Sequence, residues 1–291
     1  MKILCVDCGQ EMRGGQWQTL RLVLGLGRQC VLLCLKNSPL WKAAAAHGLE
    51  VAPVSMSTLR RLSRSADLVH AHDARSHTLC ALAGVKPLVV SRRVAFPIGQ
   101  SWLARWKYSR AQHYVAVSHF VRSVLANAGI PQERISVVYD GVPIPEQPLR
   151  PGSDILAFST LDPMKGADLA RATGLPVLFT RNLEEDLARA GVFLYLSRSE
   201  GLGSAILLAM AAGIPVVASC VGGIPEIIDH QVNGVLTENH PAEIRQAVDF
   251  AFSHRQRLGE EARRTILQRF SVDRMVSKTM DVYRQVLTCS I

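Results

Sequence analysis

The sequence predicts an α/β protein of two doubly wound parallel-sheet domains facing a cleft. Three observations predict it. Short apolar, β-branched runs alternate with helical stretches along the whole chain, the pattern of βαβ units in a parallel sheet. Near the middle the alternation is interrupted by 140–153, DGVPIPEQPLRPGS, whose four prolines read as a linker. The length, 291 residues, suits two domains within the usual ~100–200 residues each.

The elements follow in order. Strand-like runs in the first half are 3–6, 30–35, 49–53, 68–71, 87–91, 114–117 and 135–139. Helical stretches such as 16–27 and 120–128 lie between them. The second half restarts with a strand at 155–158, the turn LDPMKG and a helix. Strands near 177–179, 192–196, 215–218 and 234–236 follow, and 241–291 is mostly helical with a break near Ser271. The expected domains are 1–145 and 146–271, with a last helix, 272–291, crossing back to the first.

Composition narrows the function classes. Hydrophobic residues make up 48% and charged residues 20%, so both halves can bury a core. No apolar run reaches the ~18 residues that span a bilayer. The opening MKILCVDCG reads as a first strand rather than a signal peptide, which predicts a cytoplasmic protein. Seven scattered cysteines, at 5, 8, 30, 34, 80, 220 and 289, form no disulfide framework. Cys5 and Cys8 make a C-x-x-C, but no second pair follows at zinc spacing, so buried thiols are the simpler reading.

Charge is uneven. Residues 1–150 hold 19 Lys and Arg against 8 Asp and Glu, a balance of +11; residues 151–291 hold 14 against 16, a balance of −2. The basic half suits an anionic substrate or a membrane surface, or is a solvated surface. No nucleic-acid-binding motif accompanies the charge.

The most informative segment is 196–229, LSRSEGLGSAILLAMAAGIPVVASCVGGIPEIID. It reads as a strand, a glycine-flanked acidic loop, an apolar helix over 204–212, a β-branched strand and a second glycine loop. In an α/β protein this builds a pocket at the carboxyl ends of the strands. Glu200 sits beside a helix N-terminus able to hold a phosphate. The loop alone reads equally as a carboxylate for sugar hydroxyls or as a surface capping glutamate.

SEGLGSAILLAMAAGIPVVAS, followed by GGIPEII and NGVL, resembles the donor-site signature of the retaining glycosyltransferases of group 1, family 4, which have the GT-B fold of two Rossmann-like domains. The resemblance is close over 196–236 and loose over the rest. It implies an acceptor-side first domain and a donor-nucleotide second domain. It implies Glu200 on donor-sugar hydroxyls, with Gly201, Leu202, Gly203 and Ser204 against sugar and diphosphate. Gly222 and Gly223 would shape the far wall, and Glu226 would brace that loop. The family's second glutamate is replaced by Leu208, which cannot hold a ribose through hydrogen bonds.

AFSTLDPMKG, 157–166, resembles the family's phosphate turn and keeps Lys165 and Gly166, but its arginine is replaced by Thr160. Arg181 and Arg198 are the candidates to supply the missing charge, and the base-gripping segment is reduced to RNLEE, 181–185. MRGGQ, 12–16, resembles the family's glycine loop, which places Gly14 and Gly15 at the donor phosphate. In DLVHAHDARSHT, 67–78, spacing of two puts His70 and His72 on one face of a strand. The resemblance makes His72, with Glu200, a catalytic contact. Arg92 and Arg93, with Asp73, are the expected acceptor-binding residues.

SWLARWKYSRAQHY, 101–114, puts Trp102 and Trp106 one turn apart among cations, which suits either core packing or peripheral membrane contact. The implied reaction moves a sugar, with retention and without a metal, from a nucleotide-diphosphate sugar to a glycan or glycolipid of the cell envelope, lipopolysaccharide-like. No cofactor is expected beyond that co-substrate, with UDP as the expected nucleotide. The expected place is the cytoplasm, peripheral on the inner face of the inner membrane. The second reading is a degenerate GT-B protein that binds a sugar nucleotide or glycan without catalysis.

Overall fold

The computed structural model describes residues 1–160 and 162–288, which leaves Leu161 of the phosphate turn and Cys289 outside the described residues. The chain divides into two compact units, Met1–Gly141 with the chain from Val272 onward, and Val142–Ser271.

The first unit contains β1 (Ile3–Val6), α1 (Gly14–Leu26), β2 (Cys30–Cys34), α2 (Pro39–Ala46), β3 (Glu50–Pro53), α3 (Met56–Ser63), β4 (Leu68–Ala71), α4 (Ala74–Ala83), β5 (Leu88–Arg92), α5 (Trp102–Ser109), β6 (His113–Ala116), α6 (His119–Asn127) and β7 (Ile135–Val137). Its sheet has the order β3-β2-β1-β4-β5-β6-β7, and every pair is parallel. Order reverses between β1 and β4, so their carboxyl ends open the crevice where α/β sheets bind ligands.

The second unit contains β8 (Asp154–Phe158), α7 (Ala167–Ala172), β9 (Val177–Thr180), α8 (Leu183–Asp186), β10 (Ala190–Tyr195), α9 (Ser204–Ala211), β11 (Val216–Ser219), β12 (Val235–Thr237), α10 (Pro241–Ser253) and α11 (Arg255–Arg269). Its sheet order is β12-β11-β10-β8-β9, again parallel throughout. β10 is central and buried along its whole length. The last helix, α12 (Val272–Thr288), belongs to the first unit. Its Met275, Val282, Tyr283 and Val286 recur at helical spacing and join Leu20, Leu22 and Val23 of α1 in one core cluster.

Two element edges differ from the sequence expectation for physical reasons. β10 begins at Ala190, two residues early, because Ala190 pairs with Asp154 and Val192 with Ile155, leaving Gly191 as the extra residue of a bulge. β6 starts at His113, a polar residue in a buried strand, because its Nε2 lies 2.8 Å from Ser136 Oγ on β7. Among the described residues no helix is long and apolar enough to cross a membrane.

Candidate functional site

In the second unit three loops meet at the carboxyl ends of β8, β10 and β11. A ring of short polar links fixes them. The Ser197 N–H donates to Ser219 Oγ at 2.9 Å, Ser219 Oγ donates to Asn239 Oδ1 at 2.6 Å, and Asn239 Nδ2 donates to the Ser197 carbonyl at 3.0 Å. The Ser197 hydroxyl also reaches the Met164 carbonyl at 2.9 Å, which ties the turn bearing Lys165 to the end of β10. Such closed hydrogen-bond rings hold loop geometry because breaking one member strands the others.

Glu200 sits where these loops converge. Its Oε2 accepts from Lys165 Nζ at 2.7 Å and from the Tyr195 hydroxyl at 2.5 Å, and its Oε1 accepts from the Gly201 N–H at 3.1 Å. The Glu200 side chain is 14% exposed and that of Lys165 40%, so the lysine bridges from the solvent side. The ion pair balances the charge of the carboxylate locally. Tyr195 was not singled out from the sequence. Burial first, and then the negative charge of Glu200, push its phenol well up, so it stays a donor.

Gly222 adopts φ +58, and a Cβ there would lie 1.9 Å from the Glu200 carbonyl oxygen. The same carbonyl accepts from the Gly223 N–H at 3.1 Å. The second glycine loop therefore grips the backbone of Glu200, which no side-chain-bearing residue at 222 would permit. Gly203 has φ +107 and caps α9 with no side-chain acceptor, so the helix's own amides form its N-terminal face. Leu202, expected at the donor, is buried, so only its backbone is offered at this loop. Glu226 ends a short turn in which its N–H donates to the Gly223 carbonyl at 3.1 Å.

The departures from the family pattern are also placed. Leu208 is half-buried, one turn after Ser204 on α9. Thr160 Oγ1 accepts the Asp162 N–H at 3.0 Å and so shapes the turn. Arg198 is bidentate on Asp168, at 3.0 and 2.6 Å, and bonds the Pro163 carbonyl. That hydrogen bonding holds the exposed Asp168 carboxyl down at about 2. Arg198 thus braces the Lys165 turn from outside, and Arg181 is exposed just beyond β9.

In the first unit, Gly14 and Gly15 open α1, whose N-cap Arg13 makes no side-chain cap bond. A Cβ on Gly15 would meet nothing within 4 Å, so the fold itself does not require that glycine. The preceding loop is held by buried Asp7, which accepts from the Gly9 N–H at 2.8 Å, Gln16 Nε2 at 3.1 Å and Thr19 Oγ1 at 2.9 Å. Asp73 is the N-cap of α4: its Oδ1 accepts from the Arg75 and Ser76 amides at 2.7 and 3.0 Å, and its Oδ2 from the Cys8 N–H at 2.5 Å. The D-A-R-S pattern was the signal for that box.

His70 on β4 and His72 just past its end lie together, with ring centroids 4.0 Å apart. His70 is fully engaged, Nδ1 with the Tyr283 hydroxyl at 2.6 Å and Nε2 with Ser91 Oγ at 2.8 Å. His72 is buried, and neither of its ring nitrogens has a hydrogen-bond partner. Burial, then His70 and Arg93, push its pKa well below the usual range, so the ring is neutral. The ligand atoms of Cys5, His70 and His72 lie within 4.8 Å of one another. However, both nitrogens of His70 are in use, and hydrogen bonding to Cys30 with burial pushes the Cys5 thiol up. Cys8 is likewise pushed up to about 12, chiefly by burial. His77 stands apart, with Nε2 3.2 Å from the Lys107 carbonyl.

Arg93 is mostly buried and pairs with Asp140 at 3.2 Å, while Arg92 donates to the Tyr108 hydroxyl at 2.7 Å and to the Phe96 carbonyl. Asp140, Tyr108 and Tyr283 are partners that sequence spacing does not reveal, since each comes from a distant element.

Comparison with known proteins bears on the family and the fold. Residues 30–145 match the family described as Glycosyltransferase Family 4, and residues 162–254 match Glycosyl transferases group 1. The chain is 36% identical over 111 residues to N-acetyl-alpha-D-glucosaminyl L-malate synthase of Bacillus anthracis, a match covering 36% of this chain and 29% of that protein. The chain thus spans under a third of the length of that relative. Anabaena HepE, solved with UDP and glucose, superposes with a TM-score of 0.86 at 18% identity, over 97% of this chain and 99% of that one. The lipopolysaccharide outer core galactosyltransferase WaaB superposes with a TM-score of 0.68 at 17% identity, over 98% of this chain and all of that one. With both family matches and two parallel-sheet units of the same fold, the chain belongs to the group 1, family 4 glycosyltransferases and has the GT-B fold.

Proposed function

We propose that this protein transfers a sugar from a nucleotide-diphosphate sugar to a glycan or glycolipid acceptor of the cell envelope, with retention and without a metal. The observation that carries the reading is the Lys165–Glu200–Tyr195 group beside the N-terminus of α9, whose N-cap Gly203 offers no side-chain acceptor. As the glycosidic bond to the diphosphate breaks, negative charge grows on the leaving phosphate and the sugar becomes cation-like. Lys165 and the α9 amides are the positive groups that stabilise that charge, in place of a metal. Lys165 can exchange Glu200 for phosphate because part of it stays in solvent. Glu200 then turns to sugar hydroxyls, with Tyr195 holding its orientation. The acceptor hydroxyl attacks on the face the phosphate leaves, and its proton passes to the departing phosphate.

On the acceptor side, the unpaired nitrogens of His72 support a role as a polar contact near the transferred sugar. Arg92, Arg93 and the capped Asp73 loop supply an acceptor-side edge suited to anionic glycans. UDP is the proposed nucleotide, and the HepE structure with UDP makes it the first to test. The WaaB likeness makes a lipopolysaccharide-type acceptor the first to try, on the cytoplasmic side of the membrane.

The test is nucleoside-diphosphate release from a panel of UDP-, GDP- and ADP-sugars, with and without membrane extract. Release that vanishes in Glu200→Ala is the expected result. Donor binding with no release across the panel would overturn it in favour of the second reading, a sugar-nucleotide-binding protein without turnover. Half-buried Leu208 is what favours that reading. Leu208→Glu is expected to tighten donor binding, and unchanged affinity would show that this position does not meet the ribose.

A further inference from the structure

Between Asp73 and Glu133, residues 74–132 contain eight Lys and Arg and no Asp or Glu. Of these cations only Arg93 is ion-paired among the described residues. Within this stretch lies α5, a helix with no buried residue at all. Its inward side is fixed by Tyr108, which accepts from Arg92, stacks on Tyr114 at 5.8 Å and meets the edge of His77 at 5.0 Å. At 100° per residue the opposite side carries Trp102, Leu103, Trp106 and, among them, Arg110, with Arg105 on one flank and Lys107 on the other.

Trp102 is 74% exposed and Leu103 57%, and the guanidinium of Arg110 lies over the Trp106 ring at 5.1 Å. The loop leading into α5 adds exposed Val94 and Phe96. The core reading of these tryptophans is therefore excluded for Trp102. Large apolar groups in water are unfavourable alone, and they gather here where the surrounding charge has one sign.

We propose that the 94–110 edge of the first unit docks on an anionic lipid bilayer, with α5 lying flat and Trp102, Leu103 and Trp106 in the boundary between headgroups and acyl chains. Charge complementarity selects this occupant. Arg105, Lys107 and Arg110 lie beside or within an aromatic face, none of them in an ion pair among the described residues, although Lys107 also donates to the Ala74 carbonyl. Each gains from headgroup charge within a Debye length. A soluble polyanion would use the cations but has no use for the apolar face. A second copy of this chain would bring the same cations face to face.

The experiment is co-sedimentation of the full chain with phosphatidylcholine vesicles, with and without phosphatidylglycerol. It needs no nucleotide sugar, so its outcome is independent of the proposed transfer reaction. Binding is expected only with phosphatidylglycerol, weakening with salt. Arg105→Ala and Arg110→Ala are each expected to lower partitioning about fivefold. Trp102→Ala with Leu103→Ala is expected to lower it by roughly tenfold or more. Tryptophan quenching by brominated lipid should fall in Trp102→Phe with Trp106→Phe. Unchanged circular dichroism checks that these surface variants fold. Any of four results overturns the proposal: no binding, equal binding to neutral vesicles, full binding by the Trp102→Ala/Leu103→Ala variant, or heparin binding or a Trp102-dependent dimer without vesicle binding.

Discussion

The first unit buries four histidines, His70, His72, His77 and His113, whereas the three in the second unit, His230, His240 and His254, are exposed. Both units bury hydroxyls and amides, such as Ser91 and Gln18 in the first and Ser219 and Asn233 in the second, but among the described residues the second buries no histidine and relies on backbone closeness at Gly222. Two sheets of the same kind thus differ in whether buried imidazoles sit in and against them. One is sensitive to protons, and the other is sensitive to a single added methyl group.

Acid is the strongest way to separate them. Burial lowers His70 and His77 to about 3 and His113 to about 4, with smaller contributions from Arg93, Lys107 and Arg134 respectively. The unfolded chain takes its protons near ~6.5, before the folded one does. Their stabilising contribution is therefore complete above about pH 6.5 and erodes as pH falls toward 3–4, by of order 4 kcal/mol for His70 alone. Asp7, raised by burial, works in the opposite direction and offsets part of the loss. Hydrogen exchange, normalised to intrinsic rates, should show β4, β5 and β6 losing protection between pH 7 and 5 while β10 and β11 keep it. Equal loss in both sheets would end the contrast.

Next in size is Gly222→Ala. A methyl 1.9 Å from the Glu200 carbonyl, at positive φ, should cost of order 3 kcal/mol in urea unfolding and remove donor binding with it. Tyr195→Phe should cost less. It removes one donor from a charged carboxylate, so turnover should drop roughly tenfold with stability little changed. A kcat equal to wild type would make that tyrosine mere packing. Smallest is Gly15→Ala, which meets open space and should raise stability by about 0.5–1 kcal/mol as a helix substitution. If donor binding weakens at the same time, that glycine is kept for a ligand.

What the sequence made legible follows the same division. Repeating features were readable: β1 and β4 match their apolar runs residue for residue, and the break at Ser271 separates α11 from α12. The glycine loops of the second unit were readable because backbone shape demands glycine at Gly203 and Gly222, whereas Gly15 meets no such demand. Long-range partners were not. Lys165 and Glu200 are each explicable alone, yet their ion pair spans 35 positions and depends on how two loops pack. Tyr195 reads as one more strand residue until its hydroxyl is placed. Trp102 and Trp106 define a helix face by spacing, but spacing does not say whether that face looks in or out. Asp73 reads toward an acceptor, and its sequence gives no sign that, while Oδ1 caps α4, Oδ2 also accepts from the Cys8 N–H.

The helix α9 carries a consequence for how such a chain can diversify. Ile206, Leu207, Ala209, Met210 and Ala211 are buried, so five of its eight residues are core. Only Ser204, Ala205 and Leu208 are partly open. The floor of the candidate donor pocket and the interior of the fold are therefore one object. Selection for a new nucleotide has three positions on this helix to work with, and elsewhere on it any change is first a change in folding.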